Sequence, residues 1–165
     1  MLVEAWRCIF AERSRLLYDV NRRIPECLNR FQLPSGELKM NENEISKLIV
    51  SASIEVHRTL GGPGLLESVY EEALAYELKQ VGCGVQRQAQ SPIRYKNVTL
   101  STPLKIDLLV NEMVIVECKA VAQYNAIFAT QVLTYLRLRD LKLGLVINFG
   151  EKLVKDGIHR VVNGL

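Results

Sequence analysis

The hydrophobic residues of this chain change their repeat near residue 84, and that change limits the folds open to it. From Asn41 to Leu60, Ile45, Leu48, Ile49, Ala52, Val56 and Leu60 recur at the spacing that puts them on one face of a helix. Asn41 or Asn43 can cap its start, and Gly61-Gly62-Pro63-Gly64 stops it. A second helix is expected from about Leu65 to Val81. Its Leu66, Val69, Tyr70, Ala73, Leu74 and Leu78 face inward, and Gly82 and Gly84 end it. Beyond that point the apolar residues alternate. Residues 85–95 and 98–110 read as strands joined by a turn near Lys96-Asn97, and residues 113–120 as a further strand. Residues 124–139 return to a helical pattern. Leu143–Phe149 is a short apolar run that reads as a buried strand, and Ile158–Val162 as a short terminal one. With no internal repeat, this order implies an α/β fold: a central mixed β-sheet flanked by helices on both faces.

The two central strands can be aligned from their pattern alone. Ile106, Leu108 and Val110 point one way, and Lys105, Asp107 and Leu109 the other; Val114, Val116 and Cys118 likewise oppose Ile115, Glu117 and Lys119. The apolar faces must coincide for the sheet to bury them. A three-residue connection, Asn111-Glu112-Met113, meets that condition by pairing 106 with 118, 108 with 116 and 110 with 114. It also sets Asp107 opposite Glu117. A slip of one residue would turn every side chain to the wrong face.

That alignment carries chemistry. Opposed side chains in a sheet lie about 5 Å apart at Cβ. Two carboxylates at that distance repel unless a cation lies between them or one holds a proton. Oxygen ligands of this kind suit Mg2+ or Mn2+. Lys119, two residues beyond Glu117, projects from the same face. There a lysine can hold and activate an attacking water, or neutralise charge growing on a phosphate, while a metal supplies Lewis acidity. The plainer reading is a surface ion pair of Glu117 with Lys119 or Lys105, although Leu109 and Ile115 on the same face argue for cover. On the following helix Gln131 and Tyr135 lie four residues apart on a stripe with Phe128 and Leu138. A glutamine in an apolar stripe needs a partner: backbone, a metal-bound water or a substrate phosphate. Glu67 opens the second helix, where the helix dipole alone would favour an acid, and Tyr70 lies one turn on. His57 is a lone helical histidine, more in keeping with packing than with a site. The glycine-rich turn lacks the Gly-Lys-Ser/Thr ending of a phosphate loop and follows a helix rather than a strand, so it is not read as one.

Bulk properties exclude more than they assign. A chain of 165 residues can enclose one core. Its formal net charge of +3 does not mark it as strongly basic. No apolar run approaches the ~18 residues of a membrane span, and the N-terminus mixes charges into its apolar residues unlike a secretory signal. No membrane role is expected, and a cytoplasmic location is. Cys8, Cys27, Cys83 and Cys118 contain no Cys-x-x-Cys pair and read as reduced thiols. Residues 1–39 stand apart, with Leu2, Trp6, Ile9, Phe10, Leu16, Leu17 and Val20 at helical spacing before Pro25 and Pro34-Ser35-Gly36. They read as a helical extension with a linker, or else as sequence upstream of a start at Met40. Residues 40–165 form the expected main domain.

Gly64-Leu-Leu-Glu67-Ser-Val-Tyr70, with Ile54–Leu60 before it and Gly144–Phe149 after it, resembles the signature of the GxxExxY proteins, a branch of the PD-(D/E)xK nuclease superfamily. The resemblance runs from about Met40 to the C-terminus and implies a restriction-endonuclease-like core. By it, Asp107 matches the acid of the second core strand, Glu117-Cys118-Lys119 the (D/E)xK, Glu67 the helical acid that completes a metal shell, and Gln131 with Tyr135 a QxxxY helix motif. Where many members carry a histidine three residues before the glutamine, this chain has Phe128. The resulting expectation is a Mg2+- or Mn2+-dependent nuclease acting on DNA, less readily on RNA. Asp107, Glu117 and Glu67 hold the metal, Lys119 acts on the water or the transition state, and Gln131, Tyr135 and Tyr70 position the substrate. A homodimer is compatible with this resemblance. The alternative is an inactive module that binds nucleic acid or a protein partner on the same fold.

Overall fold

A computed structural model describes residues 40–164; the expected N-terminal extension lies outside the described residues. Helix α1 spans Glu42–Thr59. Asn41 caps it, accepting from the Glu44 N–H while Glu44 accepts from the Asn41 N–H, which closes a reciprocal capping box. Helix α2 spans Glu67–Gln80 and has no side-chain cap. Strands β1 (Val85–Ser91), β4 (Leu104–Val110), β5 (Val114–Lys119), β6 (Leu143–Asn148) and β7 (Ile158–Val162) form one sheet in the order β1-β4-β5-β6-β7. The β5–β6 pair is parallel and the other pairs antiparallel. The parallel pair requires a crossover, which helix α3 (Ile127–Arg139) provides. Residues 92–103 do not continue the main strands as expected. Instead β2 (Arg94–Tyr95) and β3 (Val98–Thr99) form a separate hairpin.

Both faces of the sheet are covered, as expected of an α/β core. On one, Ile45, Ile49 and Val56 of α1 and Tyr70, Leu74 and Leu78 of α2 pack on Leu108, Val110, Val116, Leu145 and Phe149. On the other, Val132 and Leu136 of α3 pack on Leu104, Ile106, Leu109, Ile115 and Val146. Close approach there depends on Gly144, since a Cβ on it would meet Val132 Cγ1 at 2.4 Å. Two expectations about helix faces are corrected. Leu66 and Val69 are exposed, because α2 turns only Tyr70, Glu71, Leu74, Ala75 and Leu78 fully inward. Leu138 is exposed too, since α3 buries the neighbouring Val132–Leu136 stripe.

The β4–β5 register is the expected one over Leu108↔Val116, Leu109↔Ile115 and Val110↔Val114. Asn111 and Glu112 take the left-handed conformation at the connection (φ 50° and 56°). Below Leu108 the strands depart from simple alternation. Ile106 joins Leu109 on the α3 face rather than Leu108 and Val110 on the other. The cause is local: the β1–β4 ladder skips the Gln88–Asp107 level, and Gln88 has φ 50°.

Candidate active site

The irregular level of the sheet is where the polar residues gather. Asp107 does not continue the β4–β5 ladder. Its Oδ2 instead accepts the backbone N–H of Cys118 at 3.0 Å, a side chain taking the place of a strand carbonyl. Glu117 lies on the α3 side of β5 and is 3% exposed. Its Oε1 accepts from Lys119 Nζ at 2.7 Å and from Gln131 Nε2 at 3.1 Å. Gln131 also donates to the Tyr135 hydroxyl at 2.6 Å, so both of its amide hydrogens are used on side chains and none on backbone. Lys119 Nζ is 3.8 Å from Glu67 Oε1 and 5.4 Å from the centre of the Phe128 ring. Glu117, Lys119, Glu67, Gln131 and Tyr135 are thus linked in one group drawn from α2, β5 and α3, and Asp107 of β4 lines the same cleft.

Tyr70 is not part of that group. It is fully buried and stacks on Phe149 with ring centres 4.6 Å apart. Its hydroxyl donates to the Gly62 carbonyl at 2.7 Å and accepts the Leu65 N–H at 3.2 Å. Gly62 has φ 101°, a conformation open to glycine. Tyr70 therefore ties down the turn that delivers Glu67. His57 is structural as expected, with Nε2 3.1 Å from the Glu151 carbonyl.

Three residues were missed in the sequence. Glu71 is 4% exposed and accepts from Arg87 Nε at 3.0 Å. Gln88 donates from one amide nitrogen to both Glu71 and Asp107. These residues line a cleft of about 480 Å³ with Glu67, Lys105, Asp107, Glu117 and Gln131. A slightly larger groove, about 510 Å³, lies between α1 and α2 around Val56, Leu60, Val69 and Tyr76, away from the carboxylates. Size does not mark the site here; the convergence of charge does.

Burial and mutual repulsion set the electrostatics of the group. Burial raises the pKa of Glu117, and Asp107 raises it further against the opposing Lys119. Burial also raises Glu67, with Lys119 countering and Asp107 adding to the shift. Burial works against the charge on Lys119, but the surrounding Glu117, Glu67 and Asp107 outweigh it and lift its pKa above the ordinary lysine value. Lys119 is therefore an ammonium, not a free base. Cys118, fully buried behind these groups, is pushed well up by burial and stays a thiol.

Glu117 Oε2 is buried and has no hydrogen-bond partner. An orphaned carboxylate oxygen of this kind calls for an explanation, and an ion is one. The oxygen-only donor set of Glu117, Asp107 and Glu67 fits a hard divalent cation. No three acidic, histidine or cysteine side chains among the described residues form a closed metal cluster. Asp107 is turned to Cys118, and Lys119 stands between Glu117 and Glu67. Such a set could offer one or two carboxylates to a hard divalent cation.

A family model described as the PD-(D/E)XK nuclease superfamily matches residues 43–161. No curated protein and no solved structure matches the chain.

Proposed function

Since this chain belongs to the PD-(D/E)XK nuclease superfamily and has its restriction-endonuclease-like core, we propose that it hydrolyses phosphodiester bonds of nucleic acid, DNA in preference to RNA, with Mg2+ or Mn2+. Within the superfamily we place it with the GxxExxY proteins, on Gly64, Glu67 and Tyr70. The observation that carries the reading is the unpartnered Oε2 of Glu117 beside a lysine held as an ammonium.

Glu117 and Asp107, with Glu67, would hold the cation. When bound, it would supply Lewis acidity toward the phosphate and lower the pKa of a bound water. In hydrolysis the water oxygen adds to phosphorus, one P–O ester bond breaks, and the departing oxygen takes up a proton. Lys119 is suited to stabilise the negative charge that grows on the phosphoryl oxygens, because it enters the reaction already protonated and fixed. Gln131 keeps Glu117 in place. Tyr135 accepts from Gln131 and so keeps its own hydroxyl hydrogen to donate to a phosphate oxygen. Tyr70 acts at a distance, through the turn before Glu67.

A second reading rests on Phe128. Its ring faces the Lys119 ammonium and can neither give nor take a proton, which favours a binding module that has kept the fold without turnover. The two are separated by incubating labelled DNA and RNA with the protein in Mg2+ or Mn2+. Cleavage is expected with the native chain, lost in EDTA and reduced about 10²–10³-fold in Lys119→Ala. Cleavage that survives EDTA or the substitution contradicts the proposal; binding without cleavage supports the inactive module.

A further inference from the structure

Charge is distributed unevenly along the chain. Between Glu77 and Asp107 there is no aspartate or glutamate, while Lys79, Arg87, Arg94, Lys96 and Lys105 all fall there. Two of the acid-free residues, Arg94 and Lys96, are on the β2–β3 hairpin, and residues 94–103 are all exposed. Arg87 is satisfied by Glu71 and Glu72. By contrast, no ion pair among the described residues engages Arg94, Lys96 or Lys105. Lys96 lies over the Tyr95 ring at 5.5 Å.

The hairpin also stands outside the five-stranded sheet. A lone two-stranded ribbon is marginally stable. This one is held by Arg94↔Thr99 and Tyr95↔Val98 and closed at its base by the Leu100 N–H donating to the Ile93 carbonyl at 2.9 Å. Arg94, Lys96, Asn97, Val98 and Thr99 enclose a polar hollow of about 330 Å³ with no acid in its wall. Tyr95 and Val98 are 59% and 57% exposed, so neither contributes a core. Folding does not account for this element.

Its position does. The hairpin grows from the β1–β4 pair, whose Arg87, Gln88, Lys105 and Asp107 line the cleft. Leu104, at the base, is three residues from Asp107, about 10 Å at ~3.3 Å per residue. That is about three steps of a duplex strand at ~3.4 Å each. Lys105 stands between, exposed and on the cleft wall. Lys105 on the cleft wall and Arg94 and Lys96 on the hairpin are thus positive charges with no ion-pair partner among the described residues.

We infer that the β2–β3 hairpin is a nucleic-acid-binding arm, with Arg94 and Lys96 contacting backbone phosphates that flank the bond at the cleft. This rests on the nuclease reading and adds to it the element that gives the substrate its grip. Contacts of this kind are independent of base sequence and fall with salt, each phosphate contact adding about 0.9 to the slope of log K against log salt on duplex DNA.

The test uses the full chain in EDTA, a labelled duplex oligonucleotide, and anisotropy over a range of salt. Arg94→Ala/Lys96→Ala is expected to weaken binding about tenfold or more and to lower the salt slope by about 2. Mn2+-dependent thermal stabilisation, which reads the carboxylates, should match the native chain, and that also shows that the variant folds. Unchanged affinity and slope in the double variant overturn the inference, as does a native chain that does not bind the duplex. Loss of the Mn2+ effect in the native chain would instead count against the reading of the cleft.

Discussion

The β4–β5 pair has two halves that obey different rules. Around Leu108–Val110 and Val114–Val116 the ladder is regular, every side chain is buried and apolar, and both faces are covered. Immediately beside them, at Asp107 and Glu117–Lys119, the ladder opens, a carboxylate caps a strand N–H, and a buried oxygen goes without a partner. Apolar packing fixes the first half. The second is tolerated because the first holds it in place, and its raised carboxylate pKa values record the cost. Local disorder of the pattern beside a well-packed frame is how a site for charge is built.

Substitutions can be chosen to break this division, the most costly first. Leu108→Ala, in the apolar half, should lower unfolding free energy by about 2–5 kcal/mol in denaturant titration. An effect under about 1 kcal/mol would show that this half does not carry the frame. Gly144→Ala puts a methyl against Val132 and the Ile115 carbonyl, and overpacking of this kind costs about 1–3 kcal/mol. Tyr70→Phe removes the hydroxyl shared by Gly62 and Leu65. It should cost about 1 kcal/mol or somewhat more and lower turnover through Glu67, with substrate affinity little changed. Smallest is Glu117→Gln combined with Lys119→Met. Removing a buried ion pair as a unit is often neutral or stabilising, so unfolding free energy should hold steady or rise while cleavage disappears. A large loss of stability would place these two residues in the frame rather than in the site.

The same division decides what could be read from sequence. The apolar half was legible because alternation allows only one register, and a three-residue connection followed from it. Helix α1 was legible from its stripe and from Asn41, and β6 from an uninterrupted apolar run. The polar half was legible only as identity. Asp107, Glu117 and Lys119 could be grouped by face, but the turn of Ile106 to the α3 side depends on Gln88, whose conformation has no local signature. Glu71 and Arg87 escaped for a related reason. They meet across the gap between α2 and β1, and each alone reads as an ordinary surface charge. Tyr70 was assigned by motif to the substrate, and packing gave it to the turn instead. The hairpin was missed as a separate element because Tyr95 and Val98 keep strand-like character right up to the turn.

The central claim is that Glu117, whose buried Oε2 has no hydrogen-bond partner, is a ligand of the cation. Calorimetric titration with Mn2+ tests it most directly, run on the native chain and on Glu117→Gln. The account predicts saturable binding to the native chain, with a rise in melting temperature that follows mass action, and loss of both in the variant. Equal binding by the two proteins, or none by the native chain, would contradict it.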